Sequence, residues 1–567
     1  MINLSITDFL KSMKPKVVLS LIFLLAITLL ATRGLWRPAL IRSYDMEFHA
    51  ARTANFYLAL KSGQLPPRWA PNLNSSFGYP VFIFMYPLPY FFSTAFFLIT
   101  HSFAWSLNLL LISIFLVTGL GTWLLAYQIS KKAWLASMAG LIYTLSPYFL
   151  MTVYVKGAVA EALFMAILPW LWLALVTSQQ QRRWYWQILW YSTLVMMLLA
   201  HHLSAMALIP VVVAWLFIHR RQNNWRLLIV AGLAGLTVQF FWLPMLIEKK
   251  LTIVSQNHLM TTYYQDFLSI KELIWSKWGY GGFTVGVANE SFSKMLGPVL
   301  WIVVLIAGFL FWKKRRPKAL WFWFGVFILS IFLMLPVSRF IWEIFSPLQF
   351  MQFPWRLLWL ASWSGTMIFI YSKMNHWLIY AGILLFSLIA LSWAKPAGYF
   401  EHDTHYWLEY PGTSTSLDEL NPQWFDMVAN MRSKQKILLR PDGEKFFSYR
   451  DQRQPDQWGE SREELWTGTH IKYFVKLDRD GQVAQRTLYF PGWQAWVDGQ
   501  RVEINYQDLE FPGRIFIPIS AGEHQIEVKF TNQVWDRRLG DVLSVLGMLG
   551  FALMILAEVT GFEPAKP

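Results

Sequence analysis

Long apolar runs separated by short polar loops fill the chain up to about residue 394, and the remainder changes to two-residue alternation. Runs of roughly 16–25 apolar residues predict membrane-crossing helices. The first covers 17–32, and further spans fall near 133–150, 160–177, 184–200, 203–219, 226–246, 297–312, 318–335, 357–372 and 376–394, with a last one at about 541–559. Two more apolar segments, 81–100 and 103–128, lie between the first polar loop and Lys131-Lys132. Only an odd number of crossings fits there. Pro80, Pro87 and Pro89 single out 79–100 as a membrane-surface or re-entrant helix, which leaves about twelve spans.

Basic residues sort these spans by side. Lys11, Lys14 and Lys16 precede the first, so the N-terminus is expected in the cytoplasm, and no small-residue cleavage site marks a removed signal peptide. Lys131-Lys132, Arg182-Arg183, His219-Arg220-Arg221 with Arg226, Lys313 to Lys318, and Lys373 mark further inner loops. The net charge of +15 is thereby a topology signal, which argues against nucleic acid as a partner and allows contact with anionic lipid. The expected outer side holds 33–80, the Lys156–Glu161 corner, His201-His202, 248–296, 336–356 and 395–540.

In 395–540 the pattern is that of strands. Ile471–Leu477, Arg514–Ile519 and His524–Phe530 alternate, and Val497-Asp498-Gly499-Gln500-Arg501-Val502 reads as a hairpin turning at Asp-Gly. The predicted architecture is a polytopic α-helical membrane domain (1–394, outer first loop 33–80), an extracytoplasmic β-sandwich-like domain (395–540) and a terminal span with its tail (541–567). Internal repeats are not apparent. With no cysteine, disulfides, thiol catalysis, iron–sulfur clusters and cysteine-ligated zinc are excluded.

The first loop concentrates the chemistry. It reads Ser43-Tyr44-Asp45-Met46-Glu47-Phe48-His49-Ala50-Ala51-Arg52, followed by Leu65-Pro66-Pro67-Arg68-Trp69-Ala70-Pro71-Asn72. As a helix it puts Asp45, His49 and Arg52 on one face; extended, it groups Asp45, Glu47 and His49. Charged groups beside a bilayer are costly unless paired or used. Asp45, Glu47, His49 and one of His201 or His202 also offer oxygen and nitrogen ligands for a divalent cation such as magnesium or manganese, although the spacing is no recognised metal motif. Glu161 opens a predicted span, where a carboxylate suits the positive end of the helix dipole, with a role in catalysis or substrate binding as the alternative. Adjacent His201 and His202 would point to different sides of a helix, one of them toward a cavity, where it would bond substrate.

These residues carry a resemblance. The acidic first loop, the Pro-Arg-Trp-Ala-Pro-Asn run at 67–72 and Tyr79-Pro80…Tyr86-Pro87-Leu88-Pro89-Tyr90 resemble the GT-C class of integral-membrane glycosyltransferases. Leu348-Gln349-Phe350-Met351-Gln352-Phe353-Pro354-Trp355-Arg356 is similar to a signature of the bacterial and archaeal membrane proteins labelled 6-pyruvoyl-tetrahydropterin synthase-related, a label that implies no pterin chemistry. Tyr489-Phe490-Pro491-Gly492-Trp493-Gln494-Ala495-Trp496-Val497-Asp498-Gly499 looks like the outer domain of membrane proteins implicated in glycosylating cell-wall polymers. The likeness covers most of the chain.

It implies a multi-pass protein of the bacterial cytoplasmic membrane with its active site facing the periplasm or exterior. The implied reaction is inverting transfer from a polyprenyl-phosphate-linked sugar to a glycan, lipid or protein of the cell envelope. Such a displacement needs a base for the acceptor proton and cations for the leaving phosphate. The family's loop carboxylate maps to Asp45, with Glu47 the alternative, because Met46 separates two acids that are often adjacent in the family. Arg356, at the outer mouth of a span, is the leading phosphate ligand, with Arg339, Arg52, Arg68 and Lys156 as further candidates. Two other classes compete with the enzyme: a transporter or flippase of lipid-linked saccharide, which would use broken helices and midplane polar groups, and a non-enzymatic envelope assembly protein indifferent to the first-loop acids.

Overall fold

The computed structural model describes residues 14–181, 183–221, 223–255, 263–281, 292–312, 317–447 and 458–560. Of the basic residues used for topology, Lys11, Arg182 and those at 313–316 lie outside this set.

The apolar runs fold into helices. The longer ones are α1 (Pro15–Ala31), α2 (Met46–Lys61), α3 (Leu88–Thr100), α4 (Phe103–Ser130), α5 (Ala133–Thr144), α6 (Val159–Gln180), α7 (Trp184–Ala200), α8 (His202–Ile218), α9 (Asn224–Thr237), α10 (Gln239–Glu248), α11 (Pro298–Trp312), α12 (Lys318–Met334), α13 (Leu358–Ser372), α14 (Trp377–Trp393) and α15 (Trp535–Thr560). Among the described residues, α4, α6 and α15 are each long and apolar enough to cross a membrane. Three bent pairs raise the number to six: α5 with Pro147–Lys156 (45°), α9 with Gln239–Leu251 (60°) and α12 with Pro336–Ile344 (89°). In the first and third, a proline opens the second half, where a missing N–H and a fixed φ favour a fresh start. Helix α6 is buried along nearly its whole length and forms the centre of the bundle. Length and composition alone thus account for three to six of the roughly twelve crossings read from the sequence.

The proline-rich segment 79–100 breaks in two. A short turn, Val81–Phe84, leads through extended Met85 into α3. At 13 residues α3 is about 20 Å long, less than a hydrocarbon core of roughly 30 Å.

The alternating segments form two antiparallel sheets. The short strands β1 (Leu40–Ile41) and β2 (Tyr399–Phe400) pair first, tying the first loop to the start of the polar region. Then follow β3 (Ile437–Pro441), β4 (Gly459–Trp466), β5 (His470–Leu477), β6 (Gly481–Leu488), β7 (Trp493–Val497), β8 (Gln500–Val502), β9 (Arg514–Ile519) and β10 (Gly522–Phe530). Their orders are β4-β5-β10-β7-β8 and β3-β6-β9. Ile471, Tyr473, Val475 and Leu477 of β5 are buried, as are Val483 of β6 and Ile515 and Ile517 of β9, and the sheets touch where Leu477 approaches Gly481 and Leu439 approaches Gly459. Phe446, Phe511 and Phe516 close the far side of the smaller sheet. The Asp498-Gly499 turn has φ of +49° and +80°, the left-handed pair that a two-residue hairpin requires.

The stretch 404–430 joins neither sheet. It wraps the first loop: Asn72 Nδ2 donates to the Leu408 carbonyl at 2.9 Å, and Asn74 N–H to that of Gly412 at 2.9 Å.

Candidate active site

Asp45 occupies the N-cap of α2. An aspartate there ordinarily accepts a hydrogen bond from a first-turn N–H, with its own backbone extended. Asp45 instead has helical φ and ψ of −103° and −8°, and its side chain caps nothing. Its backbone is held from outside. Tyr44 N–H donates to the Val155 carbonyl at 3.2 Å and Asp45 N–H to that of Lys156 at 2.8 Å. Both carbonyls belong to a π-helical turn, Thr152–Lys156, that ends at Gly157 with φ +67°. A Cβ on Gly157 would collide with Ser43 Oγ and lie 3.1 Å from Met46 N. The glycine lets the first loop and the broken helix touch, and the Asp45 carboxylate remains free of its own helix.

Cations face it. Lys156 and Glu161 are both buried, and Lys156 Nζ and Tyr148 Oη each donate to one oxygen of Glu161. Glu161 does stand in the first turn of α6, as expected for a dipole partner, but its hydrogen bonds go to these side chains. The Lys156 ammonium lies 5.5 Å from the centre of the Tyr148 ring and 5.2 Å from that of Trp355. Arg356 follows Trp355 in a 3-10 turn. Its Nη1 donates to the Met351 carbonyl at 3.0 Å, while Nε is buried with no hydrogen-bond partner among the described residues.

Asp45 interacts electrostatically with Lys156, Arg52, Arg356 and Glu161. Burial raises the Asp45 carboxyl above its ordinary value, and the three cations pull against that rise. Three cations around two carboxylates leave an excess of positive charge, which suits a phosphate.

Arg52, two turns along α2, is buried and committed to structure. It donates to Tyr90 Oη at 3.2 Å, to Ser414 Oγ at 3.1 Å and to the Ser414 carbonyl. His49 shares the Tyr90 hydroxyl, with Nδ1 3.1 Å away. Burial holds the His49 imidazole well below its usual value and Arg52 adds to the effect, so the ring is neutral.

The two histidines differ from the sequence reading. His201 is the N-cap of α8, with extended φ and ψ of −156° and 97°, and its Nδ1 accepts from Ser204 N–H at 3.3 Å. Because it precedes the helix, the angular separation of successive helical residues does not apply. Both rings turn to Tyr86, with centroids 5.4 and 5.8 Å away, and both interact electrostatically with Arg356.

Three expected residues sit elsewhere. Glu47 turns to the 404–430 wrap and accepts from Tyr406 Oη at 3.3 Å. Arg68 donates to Asp541 Oδ1 and to the Phe240 carbonyl, each at 3.0 Å. Arg339 is exposed and pairs with Glu343 one turn along its helix, at 2.7 Å. The proposed metal set is thereby split: Asp45, Glu47 and His49 point to different partners, and no group of three or more metal-ligating side chains converges among the described residues. The described residues do not offer a divalent-cation site. Sequence reasoning missed Tyr86, Tyr148 and Trp355, which lie in apolar or proline-rich surroundings and read as membrane aromatics. Tyr86 and Trp355 do fall inside the segments that carry the family resemblance.

No family model matches the chain. A stretch of 153 residues, 26% of this chain, is 33% identical to an uncharacterized protein of Lactococcus lactis subsp. cremoris, of which it covers 25%. Among solved structures, arabinofuranosyltransferase AftD from Mycobacteria aligns over 68% of this chain and 28% of its own, at 18% identity and TM-score 0.47. The apo oligosaccharyltransferase of Archaeoglobus fulgidus aligns over 72% and 61%, at 12% identity and TM-score 0.43. ArnT from Cupriavidus metallidurans, bound to undecaprenyl phosphate, aligns over 65% and 62%, at 15% identity and TM-score 0.37. The chain therefore spans about a quarter of the lactococcal and mycobacterial proteins and less than two thirds of the other two. At these identities and TM-scores the likenesses carry no argument about reaction, substrate or partner.

Proposed function

We propose that this chain is an inverting, GT-C-type membrane glycosyltransferase of about twelve spans in the bacterial cytoplasmic membrane, with the first loop and residues 395–540 outside. One observation carries the reading: a half-buried Asp45 carboxylate, unused by its own helix, stands among Lys156, Arg52 and Arg356. A base needs an open carboxylate, and a departing lipid phosphate needs cations; here the two adjoin.

In this account the donor is a polyprenyl-phosphate-linked sugar, and the acceptor a hydroxyl or amide of an envelope glycan, lipid or protein. Asp45 takes the proton as the acceptor attacks the anomeric carbon. The bond from that carbon to the phosphate oxygen breaks on the opposite face, and Arg356, with its unpartnered Nε, and Lys156 receive the charge. Glu161 and Tyr148 hold the Lys156 ammonium in place. Arg52 braces the α2 face against Ser414.

Mass spectrometry of envelope glycans and lipid-linked intermediates in a deletion strain tests this. A polyprenyl-phosphate sugar accumulates and a glycan lacks one residue; an unchanged envelope refutes it. The broken helix formed by α5 and the segment Pro147–Lys156 also favours a second reading, a transporter of lipid-linked saccharide, because discontinuous helices line transport sites. A transporter moves its cargo whether or not Asp45 ionises, so loss of transfer in Asp45→Asn separates the two.

A further inference from the structure

Lys249 opens the 3-10 turn that follows α10 and is half-buried, and among the described residues its ammonium makes no hydrogen bond or ion pair. Glu248, beside it in the chain, is taken by Arg537 through two bonds at 2.7 Å. What the ammonium does meet is the exposed ring of Phe350, 5.1 Å from its centre. Phe350 and Met351 are consecutive residues of one 3-10 turn, and the Met351 carbonyl accepts from the half-buried Arg356 at 3.0 Å. Lys249 and Arg356 thus lean on the same turn. His202 interacts electrostatically with both, and His201 with Arg356 and Lys156. The cations stand in the order Lys156, Arg356, Lys249, with the Asp45 carboxylate at the Lys156 end, where its N–H donates to the Lys156 carbonyl.

Charge identifies the ligand. Arg52, Lys156 and Arg356 exceed Asp45 and Glu161 by one positive charge, which balances the single negative charge of a sugar–phosphate–lipid diester. Lys249 raises the excess to two, and a sugar–diphosphate–lipid carries two negative charges. An apolar groove of about 110 Å³ between α7, α8 and α9 adjoins the Lys249 end. Leu198 and Ala205, one turn before and one turn after His202, help to line it. The Trp242 ring stands 6.4 Å from that of His202 and its N–H donates to the Leu198 carbonyl at 3.2 Å. Such walls accept a hydrocarbon chain. We infer, resting on the transfer reading above, that the donor carries its sugar on a lipid diphosphate, with the phosphate nearer the sugar at Lys156 and Arg356, the other at Arg356 and Lys249, and the lipid in this groove. As the acceptor oxygen bonds to the anomeric carbon, its proton passes to Asp45. The bond from that carbon to the nearer phosphate oxygen breaks, and its electron pair leaves with the lipid diphosphate. Lys249 binds the second phosphate and touches no reacting atom.

Isothermal titration of the full chain in detergent micelles tests it. The probes are farnesyl phosphate and farnesyl diphosphate, which share a tail, with inorganic diphosphate as the lipid-free control. Farnesyl diphosphate binds about tenfold tighter than the monophosphate, the scale of one added hydrogen bond to a charged group, and tighter than inorganic diphosphate. Lys249→Gln removes that preference by weakening the diphosphate alone, Lys249→Arg restores it, and Arg356→Gln weakens both lipids. Equal binding of the two lipids, a preference that survives Lys249→Gln, or inorganic diphosphate binding as tightly as its farnesyl ester overturns the inference and leaves the transfer reading standing. Binding of neither lipid removes both.

Discussion

Arg537→Met should destabilise the fold by about 3–5 kcal/mol, the cost of leaving one member of a buried ion pair alone. Arg537 is fully buried at the start of α15 and Glu248 is 2% exposed at the end of α10. The pair is bidentate, with Nε to Oε1 and Nη2 to Oε2 both at 2.7 Å, and Nη2 also donates to the Pro491 carbonyl at 2.8 Å. At an effective dielectric constant near 20, charges this close attract by about 5 kcal/mol, and the orphaned Pro491 carbonyl adds roughly 1–3 kcal/mol on truncation. Desolvation of both ions offsets much of the attraction, so the pair itself stabilises little relative to an apolar one. The double variant, Glu248→Leu with Arg537→Met, should accordingly recover the part of the loss that comes from the stranded carboxylate, a coupling of about 2 kcal/mol, while the Pro491 carbonyl stays orphaned. The assay is unfolding by SDS titration in mixed micelles, followed by tryptophan fluorescence across the four-member cycle. A loss below about 1 kcal/mol in Arg537→Met, or strict additivity, would refute the claim that this pair locks the terminal helix to α10 and the β-domain.

Three further outcomes concern the site. A base works deprotonated, so activity is lost as pH falls through the folded Asp45 value; because burial raises that value, the acid limb of kcat/KM should lie above the ordinary aspartate range, and Arg356→Gln, which removes a cation that lowers it, should move the limb to higher pH. Gly157→Ala pushes a methyl into Ser43 at a left-handed φ, displacing the first loop; an ångström of misplacement should lower kcat by about 10²-fold in a chain that still inserts, as read by single-turnover transfer. Arg356→Lys should weaken donor use partially and Arg356→Ala severely, since only the guanidinium offers a fork, and unchanged donor affinity in the alanine variant would reduce Arg356 to an interfacial anchor.

Local patterns announced themselves in the sequence wherever one residue's neighbours decide its fate. The apolar runs became helices, the Asp498-Gly499 turn became a hairpin, and β5, β9 and β10 lie where alternation put them. The strand β4, Gly-Glu-Ser-Arg-Glu-Glu-Leu-Trp, carries no alternation because it is an exposed edge and buries neither face fully. The strand β6 hides for the opposite reason, being covered on both faces. Long-range contacts left no trace. The pairing of Leu40 with Phe400, the docking of Arg52 on Ser414 and the turning of Glu47 toward Tyr406 all join segments far apart in the chain. The site shows the same division. Asp45, His49 and Arg52 were legible as one helical face, whereas the π-turn that pins Asp45 and the aromatic walls around Lys156 come from elsewhere in the bundle. Arg68 looked like a phosphate ligand because it is a first-loop arginine; only the fold shows Asp541 beside it.

The most direct test of the account is sugar transfer by Asp45→Asn, with Glu47→Gln as its control, in membranes where both variants are correctly inserted. The asparagine keeps the size and hydrogen bonding of the aspartate but cannot take a proton. Transfer should fall by about 10²–10⁴-fold while binding of the lipid-linked donor survives. Glu47→Gln should be mild, because that carboxylate faces Tyr406 and not the cation cluster. Transfer at the wild-type rate by Asp45→Asn, or the larger loss in Glu47→Gln, would contradict the assignment of Asp45 as the base.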